Sequence, residues 1–341
     1  MKADTEHHIM SKHVAIMGAT GAVGQELLSL LEERNFPIAS LKLLASKRSA
    51  GKTCQFKGQD ITIEELTHDS FEGIDIVLAS AGGSISAEFA PSAIKAGAVV
   101  VDNTSYFRMN DDVPLVVPEI NSEEIKNHKG VIANPNCTTA IAAVVLWPLH
   151  KAYGLKKVIM STYQASSGAG ATGMEELRSG ATAYLEGKEV KNETFAHPLP
   201  FNLIPHIDKF QENGYTKEEM KVTWETRKIM DLPDLAVSCT AVRIPTFRAH
   251  AESIVIETEK PIDVAWAKKI LSEAPGVKLV DNIDNNEYPM PLNVTKKWDV
   301  EVGRIRQNLV FGENGLEFFI CGDQILKGAA LNAIQIAEEL I

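Results

Sequence analysis

Cys137 is the residue of this chain whose surroundings most favour chemistry. It stands in the segment Ala-Asn-Pro-Asn-Cys-Thr-Thr, residues 133–139, which joins a β-branched run to a long apolar run. Because Pro135 disfavours helix at the residue before it, a helix is predicted to begin near Asn136 or Cys137. A thiol at a helix N-terminus lies at the positive end of the helix dipole, so its pKa falls and it becomes a nucleophile at neutral pH. A buried structural cysteine is the alternative, and this argument alone leaves both open.

A cysteine nucleophile needs a partner that moves protons, and His250 is the candidate. It ends the segment RIPTFRAH, which begins at Arg243, where a polar loop enters a predicted strand. Imidazole titrates near neutral pH and can act as general acid and base. A lone histidine is more often structural or simply exposed, so the assignment depends on further residues.

A second segment with chemical meaning, VAIMGATGAVG, covers residues 14–24. An apolar strand runs into a turn with Gly18, Gly21 and Gly24, and a helix follows. Small residues let backbone N–H groups approach a pyrophosphate, which then lies at the positive end of the helix dipole. The spacing is GxxGxxG rather than GxGxxG, so a tight strand–helix turn without a ligand is the alternative.

The residues after the second predicted strand bear on the choice of nicotinamide cofactor. Folds that prefer NAD place Asp or Glu there, which accepts a hydrogen bond from the ribose 2′-hydroxyl. Between Arg34 and Gln59 this chain has no acidic residue and offers Lys47, Arg48 and Ser49 instead. A guanidinium and a hydroxyl suit a 2′-phosphate, so NADP is predicted. A solvated basic loop is the alternative.

The composition limits the class of protein. A length of 341 residues suggests about two domains, and 45% hydrophobic with 23% charged residues is typical of globular proteins. The formal net charge of −11 argues against an extended nucleic-acid surface. No apolar run reaches the ~18 residues of a membrane helix, and the N-terminus lacks an apolar secretory core. A cytoplasmic protein is therefore expected.

The other cysteines are Cys54, Cys239 and Cys321, which lie far apart without metal-ligand spacing. They are expected to be small buried hydrophobic residues, and no metal site is expected.

The order of predicted elements indicates the fold class. The first ~135 residues alternate short β-branched runs with amphipathic helical stretches, the rhythm of a doubly wound parallel sheet. Residues 167–235 are rich in Gly, Pro and Asn and are expected to wrap over a surface. The predicted strands are 13–17, 41–45, 74–79, 98–103, 130–133, 157–165, 236–243 and 250–258. The predicted helices are 25–34, 88–96 entered near Pro91, 138–152 and 324–340.

These segments together resemble a known family, the aspartate-β-semialdehyde dehydrogenases, in the shorter form of its bacterial branch. The resemblance runs from His13 to Ile341 and rests on motifs in this order: GATGAVGQELL, SYFRM, ANPNCTT, YQASSGAG, EEMK, RIPTFRAH and GDQILKGAALNAIQIAEEL. It implies an α/β, Rossmann-like domain of residues 12–135 and 323–341, and an α+β domain for catalysis and dimerisation of residues 136–322. Residues 1–11 match nothing in the pattern and are expected to form a disordered tail.

The same resemblance implies a role for each site residue. Cys137 would attack an acyl phosphate and carry the thioester, His250 would be the acid–base catalyst, and Gln164 would orient the substrate. The substrate-binding residues would be Arg243 for a carboxylate, Arg108 and Lys221 for phosphate, Glu218 for an amino group, and Asn136. The NADP site would be lined by Gly18, Thr20, Gly21, Ala22, Val23, Arg48, Ser49, Ser167, Gly168 and Gln324.

The implied reaction is the NADP-dependent reductive dephosphorylation of L-aspartyl 4-phosphate to L-aspartate 4-semialdehyde, in the biosynthesis of lysine, methionine and threonine. Two cations for phosphate, an Arg fork for carboxylate and a carboxylate for ammonium complement that substrate. Backbone N–H groups at the start of the Cys137 helix are expected to bind the oxyanion. The expected assembly is a homodimer, and a homotetramer is the alternative. Taken one at a time, Arg108, Lys221 and Glu218 are equally compatible with surface charges.

Other functions remain as alternatives at this point. An N-acetylglutamyl-phosphate reductase uses the same chemistry, but its acetylated substrate has no ammonium for Glu218. A glyceraldehyde phosphate dehydrogenase would usually show an acidic residue after the second strand. A non-catalytic dinucleotide-binding protein would be expected to lack Cys137, Gln164, Arg243 or His250, and all four are present. A simple thiol hydrolase does not explain the glycine loop with Arg48 and Ser49.

Overall fold

The computed structural model of this chain describes residues 11–341, so nearly all of the predicted tail lies outside the described residues. The strands are β1 (Lys12–Met17), β2 (Ile38–Ala45), β3 (Thr53–Phe56), β4 (Gln59–Glu65), β5 (Ile76–Ala79), β6 (Val99–Asp102), β7 (Val131–Ala133), β8 (Leu155–Gln164), β9 (Ala236–Arg243), β10 (His250–Thr258), β11 (Val277–Leu279), β12 (Val300–Gln307) and β13 (Gly315–Gly322). The α-helices are α1 (Ala22–Glu33), α2 (Gly83–Lys95), α3 (Pro118–Asn121), α4 (Cys137–Tyr153), α5 (Gly170–Leu185), α6 (Lys217–Ile229), α7 (Val264–Glu273), α8 (Pro291–Val294) and α9 (Leu331–Glu338). A π-helical turn, Leu326–Ala330, precedes α9.

The first compact unit contains the described residues up to Pro114, Glu123–Asn134 and Ala333–Ile341. Its sheet has the order β3-β4-β2-β1-β5-β6-β7, and every pair is parallel except β3 with β4. From the central β1 the chain winds first towards β2 and then, from β5 onwards, to the other side, which is a doubly wound sheet. The residues of β5 and β7 are all buried, as is typical of parallel strands covered on both faces.

The second unit contains Leu115–Ser122 and Pro135–Asn332. Its mixed sheet has the order β11-β12-β13-β10-β8-β9, with β8 parallel to β9, β11 parallel to β12 and the other pairs antiparallel. Helix α4 packs on one face of this sheet, where a Cβ atom at Gly322 of β13 would lie 3.0 Å from Ile141 of α4. Residues 138–146 of α4 are all buried, which explains why this helix is apolar nearly all round.

The predicted fold class, a Rossmann-like parallel sheet domain with a second α+β domain, is confirmed. The helix at Cys137 begins where Pro135 predicts, and the bounds of β9 and β10 match the predicted strands. No helix in the described part of the chain is long and apolar enough to cross a membrane.

Several predictions of local structure were wrong. Helix α2 begins at Gly83, so Pro91 lies inside it rather than at its entry. Residues 167–235 include helices α5 and α6, and α6 has a capping box in which Thr216 and Glu219 bond each other's backbone N–H. The last helical stretch starts at Leu326, which leaves Gln324 in a turn. Cys239 and Cys321 are buried as expected, but Cys54 on the edge strand β3 is half-exposed.

The units also differ from the predicted domain boundaries. Residues 115–122 and 323–332 group with the second unit, although they were expected in the first. The C-terminal residues do belong to the first unit, where Arg34 at the end of α1 donates from Nε and Nη2 to Glu338, both at 2.7 Å.

Candidate active site

Cys137 is the first residue of α4, and Asn136 caps the helix. The Asn136 Oδ1 accepts hydrogen bonds from the backbone N–H of Thr138 at 3.0 Å and of Thr139 at 3.2 Å. Cys137 is half-exposed, whereas Asn136 and the two threonines are buried. The helix start therefore presents the thiol towards solvent at the positive end of the dipole. The amides of Thr138 and Thr139 donate to this cap, and oxyanion binding by backbone N–H groups at this helix start stays a prediction.

Two glutamates of α6 hold the Asn136 residue in turn. Its Nδ2 donates to Glu218 Oε1 at 2.9 Å, and its backbone N–H donates to Glu225 Oε2 at 2.6 Å. Both carboxylates are buried. The cap of the nucleophile's helix is thus fixed by charge-assisted hydrogen bonds from a second helix.

Three predicted site residues lie side by side across the sheet. Gln164 at the end of β8 pairs with Arg243 at the end of β9. On its other side the register of β8 and β10, in which Ala251 pairs with Tyr163, places His250 opposite Gln164. Paired residues project from the same face of a sheet, and here that face is the one covered by α4. Strand pairing therefore gathers Arg243, Gln164 and His250 beside the helix that carries Cys137.

His250 is fully buried and has a defined orientation. Its Nδ1 accepts a hydrogen bond from the Ala165 backbone N–H at 3.0 Å, so the neutral ring carries its proton on Nε2. Nε2 has no hydrogen-bond partner among the described residues. Burial, and next the positive charge of Arg243, lower the pKa of His250 from 6.5 to about 3. The imidazole is therefore neutral at pH 7 and offers a proton donor to whatever occupies the site.

Arg243 is held by the same backbone unit as His250. Its Nη1 donates to the Ala165 carbonyl at 2.7 Å. Gly168 packs against both side chains: a Cβ atom there would lie 2.6 Å from Arg243 Nη1 and 3.5 Å from His250 Nε2. Burial lowers the pKa of Arg243, while the nearby Glu218 and Cys137 act in the opposite direction. A glycine at 168 thus leaves the space that both side chains use.

Glu218 connects the helix cap to Gln164 and Lys221. Its Oε1 accepts from Gln164 Nε2 at 3.2 Å as well as from Asn136, and its Oε2 lies 3.4 Å from Lys221 Nζ. Lys221 also donates to Asp208 at 2.8 Å. Burial acts to raise the pKa of Asp208, but the hydrogen bonds from Lys221 and from the Lys209 backbone N–H outweigh it, so the pKa is lowered. Gln164 is buried as well as hydrogen-bonded, so its side chain does not face solvent.

The predicted cofactor residues of the second unit also meet. Gln324 donates from Nε2 to Ser167 Oγ and accepts from the Ala249 N–H at 2.7 Å. The turn that holds Gln324 is fixed by Asp323, whose carboxylate accepts from Arg248 Nε at 2.6 Å. These bonds tie the residue before His250 to Ser167, so one network positions both.

The glycine loop of the first unit joins β1 to α1 as predicted. Gly18 has a φ of +95°, and a Cβ atom at Gly24 would lie 2.2 Å from the Gly18 carbonyl oxygen. Helix α1 starts after Gly21 with no side-chain cap and no acidic residue in its first turn. Thr20 and Gly21 are exposed, and Ala22 and Val23 are half-buried. Such an uncapped helix start favours an anion.

Arg48 and Ser49 lie in the turn after β2, next to the glycine loop. The N–H groups of Gly18 and Ala19 both bond the Leu44 carbonyl near the end of β2, at 2.9 and 3.2 Å. Arg48 is exposed and Ser49 is buried. The turn is therefore adjacent to the loop, with the guanidinium accessible to a ligand.

Arg108 belongs to the first unit and is buried. Its Nε donates to the Asn134 carbonyl at 2.8 Å and its Nη2 to the Asn103 carbonyl at 2.9 Å. Asn134 precedes Cys137 by three positions in the chain. Arg108 is therefore fixed against the segment that leads to the nucleophile.

The chain is similar to proteins of a known family over nearly its whole length. A model described as "Semialdehyde dehydrogenase, NAD binding domain" matches residues 13–128, and one described as "Semialdehyde dehydrogenase, dimerisation domain" matches residues 146–327. The aspartate-semialdehyde dehydrogenase of Synechocystis is 53% identical over 328 residues, which cover 96% of this chain and 97% of that protein. The chain belongs to the aspartate-semialdehyde dehydrogenase family. It is therefore an oxidoreductase, and the family expected from the motifs is confirmed.

Solved structures of aspartate-semialdehyde dehydrogenases share the fold. Aspartate semialdehyde dehydrogenase II from Vibrio cholerae, complexed with ASA, has a TM-score of 0.95 and 43% sequence identity, and the match covers 97% of this chain and 98% of that one. The enzyme with NADP from Candida albicans has a TM-score of 0.74 and 25% identity, with coverage of 97% and 98%. The family model thus identifies residues 13–128 of this aspartate-semialdehyde dehydrogenase as a nicotinamide dinucleotide-binding domain.

Sequence reasoning missed three residues that shape this aspartate-semialdehyde dehydrogenase site. Glu225 holds the backbone of Asn136, and it follows Glu218 and Lys221 at the i, i+3, i+7 spacing of one helix face, a signal that could have found it. Asp208 holds Lys221 from a loop, and no sequence pattern points to it. Gly328 packs directly behind Cys137: a Cβ atom there would lie 2.8 Å from the Cys137 Cβ.

Proposed function

We propose that this chain reduces L-aspartyl 4-phosphate to L-aspartate 4-semialdehyde with NADPH, through a thioester on Cys137. The observation that carries the proposal is the arrangement of Arg243, Gln164 and His250 in one row on the sheet face under α4, the helix that begins at Cys137. A thiol, a neutral proton donor, an Arg fork and a buried carboxylate suit an acyl phosphate of an amino acid.

Binding of the substrate would use charges that the fold already orients. Arg243 would bind the α-carboxylate, and Glu218 the ammonium group. The two Glu218 oxygens offer about four acceptor positions, and three donors, from Asn136, Gln164 and Lys221, approach them in the structure. Lys221 and Arg108 would bind the phosphate.

In the first half of the reaction the Cys137 sulfur attacks the acyl carbon. The carbon–oxygen bond to phosphate then breaks, phosphate leaves, and a thioester remains on Cys137. Gln164 would orient the acyl group, since its own side chain is fixed by Thr162 at 2.9 Å and by Glu218.

In the second half His250 acts on the reacting oxygen. The reduced nicotinamide, when bound, would supply a hydride to the acyl carbon. His250 would donate an Nε2–H hydrogen bond to the carbonyl oxygen and so stabilise the tetrahedral oxyanion that forms, keeping its own proton. As the oxyanion collapses, the carbon–sulfur bond would break, the aldehyde would leave and the Cys137 thiolate would be restored.

The residues present fit NADP. The uncapped start of α1 at Gly21 suits a pyrophosphate, and Gly18, Thr20, Ala22 and Val23 surround it. The accessible Arg48 guanidinium and the Ser49 hydroxyl would hold the 2′-phosphate. Ser167, Gly168 and Gln324 would complete the nicotinamide end. The structure of the Candida albicans relative with NADP supports this choice.

The two units differ in the role that we propose for each. We infer that the first unit is the NADP-binding domain and that the second is the domain of catalysis and dimerisation. The family description of residues 146–327 as a dimerisation domain supports a homodimer, which we place in the cytoplasm.

The test is the reverse reaction. Purified protein, aspartate semialdehyde, inorganic phosphate and either NADP or NAD are mixed, and the absorbance of the reduced nicotinamide is followed. Phosphate-dependent reduction of NADP, faster than of NAD, is the expected result. A signal only with N-acetylglutamate semialdehyde would contradict the substrate, and no signal from folded protein that binds NADPH would contradict catalysis.

A further inference from the structure

The second unit has a cavity of about 510 Å³ that contains none of the site residues described above. It lies between α4 and α7 and is bordered by α3. Its volume falls in the range of about 300–1,000 Å³ that is usual for small-molecule sites. We call it the α4–α7 pocket.

The walls of the α4–α7 pocket are mainly apolar. Val144 and Trp147 contribute from α4, and Trp266 and Ile270 from α7. Trp266 is 52% exposed, although an indole ring is a large apolar surface to leave in water. A flat or branched apolar group between the two tryptophans would remove that surface from solvent.

The charges of the pocket indicate the sign of the ligand. Both glutamates of its wall already have partners: Glu119 with Lys327 at 2.5 Å and Glu273 with Lys269 at 2.7 Å. Lys151 lies 5.9 Å from the centroid of the Trp147 ring, and within residues 11–341 no carboxylate oxygen lies within 4 Å of its Nζ. Among the described residues of the wall, Lys151 is therefore the charge that a ligand can neutralise. The ligand that fits is an anion with an apolar body.

A continuous set of contacts leads from this pocket to the nucleophile. Glu119 binds Lys327, which is buried and also donates to Asn332 Oδ1 at 2.8 Å. Lys327 belongs to the π-helical turn Leu326–Ala330, and the next residue, Gly328, packs against Cys137. π-Helical turns occur often at functional sites. A shift of Glu119 would therefore reach the backbone behind the thiol.

We propose that the α4–α7 pocket binds a small organic carboxylate with an apolar body, and that its occupation changes the reactivity of Cys137 through the Glu119–Lys327 ion pair. The pocket side of α4 is rigidly connected as well, because Val144 lies only about 10 Å along the helix from Cys137. The site is separate from the substrate site and does not depend on the reaction proposed above.

Binding is tested on the full chain with 3-phenylpropanoate, using 2-phenylethanol and phenethylammonium as probes of the same body without the negative charge. Calorimetry should show the carboxylate bound at least about tenfold more tightly than either, as expected for one charge-assisted contact. Lys151→Gln and Trp266→Leu should each weaken it, while Lys95→Gln and Trp298→Leu should not. Binding that survives Lys151→Gln and is displaced by substrate would place the probe at Arg243 and overturn the proposal.

Should a pocket variant fail to fold, the native protein still decides the location. In ¹⁵N-indole NMR spectra, 3-phenylpropanoate should shift the Trp147 and Trp266 signals and leave those of Trp224 and Trp298 unchanged. Shifts absent from Trp147 and Trp266 would contradict the site.

Coupling is measured as the alkylation rate of Cys137 by iodoacetamide, followed by mass spectrometry of the peptide that contains it. Saturating probe should change this rate about fivefold or more, the lower end of ordinary coupling between sites. In the double variant Glu119→Gln/Lys327→Gln, which keeps a polar pair without charge, the probe should bind but the rate should no longer respond. An unchanged rate in the native protein would overturn the coupling.

Discussion

The side chain of Asn136 donates a hydrogen bond of 2.9 Å to Glu218, and this contact joins the start of helix α4 to helix α6. The same Asn136 side chain caps α4 through its oxygen. The residue that orients the nucleophile's helix is thus held by the residue expected to bind the substrate's amino group. Nucleophile and substrate recognition are positioned by one hydrogen-bonded network.

The thioester mechanism predicts that Cys137→Ser abolishes turnover while NADPH still binds, because the cofactor residues do not include the thiol. Steady-state rates and NADPH fluorescence titration measure the two effects. Cys54→Ser, which removes the half-exposed cysteine of β3, should leave turnover unchanged. Retained turnover in Cys137→Ser would rule out the covalent step.

The Asn136 cap predicts a loss of both stability and thiol reactivity on substitution. Asn136→Ala should lower the free energy of unfolding by about 1 kcal/mol, the usual cost of a lost N-cap, and by more because the buried Glu218 loses the Asn136 Nδ2 donor, whereas the backbone bond to Glu225 is kept. It should also slow alkylation of Cys137. Asn136→Ser, which keeps a capping oxygen, should recover most of the stability but not the bond to Glu218. Urea unfolding and iodoacetamide kinetics separate the two roles.

We expect Arg48 to determine the preference for NADPH over NADH. Arg48→Ala should weaken NADPH binding by roughly 10- to 100-fold, the size of a lost charge-assisted contact to a phosphate, and should hardly affect NADH. Dissociation constants for both cofactors are the measurement. Lys52→Ala, a nearby exposed cation, is the matched control. Equal losses for NADPH and NADH would remove the reason to assign NADP.

Burial of the neutral His250 imidazole should make the stability of the protein depend on pH. Its pKa is about 3 in the folded chain and 6.5 when unfolded, so between these values the unfolded state binds a proton that the folded state does not. The free energy of unfolding should therefore fall as the pH drops below 6.5, by about 1.4 kcal/mol per pH unit from this group alone. Urea unfolding from pH 7 to 4 should show a shallower slope for His250→Gln. Equal slopes would mean that His250 is not buried in neutral form.

The buried Glu252 should change the free energy of unfolding with pH in the opposite direction. It is fully buried two residues along β10 from His250, and within the described chain neither carboxyl oxygen has a hydrogen-bond partner. Burial raises the pKa of the folded Glu252 carboxyl well above its ordinary value of 4.5. As the pH rises past 4.5, the unfolded state therefore loses a proton that the folded state keeps. Stability should fall as the pH rises.

Glu252→Gln removes this titration and should stabilise the protein more at pH 8 than at pH 5. Glu64→Gln, on the exposed side of β4, should show no such difference. A Glu252→Gln effect that is the same at both pH values would indicate that the carboxyl is ionised in the folded chain.

Features that depend only on neighbouring residues could be predicted from the sequence. The start of α4 at Cys137 follows from Pro135 and an apolar run, and the glycine loop follows from Gly18, Gly21 and Gly24 after a buried strand. The bounds of β9 and β10 follow from alternation of apolar and polar residues. Local sterics, capping and periodicity act over a few residues, and such effects are legible in one dimension.

Which of these features contact each other depends on how distant segments fold together. Arg243, Gln164 and His250 become neighbours because β8 lies between β9 and β10, an order that no local pattern specifies. Asp208 on Lys221 and Gly328 behind Cys137 are likewise contacts between distant segments. Helices α5 and α6 were missed because α5 contains glycines and both helices lie in a segment rich in Gly, Pro and Asn, a composition typical of loops. Strand pairing and burial determine these contacts. The free energy of packing depends on the side chains that contact a residue in the fold, and these are not its neighbours in the sequence.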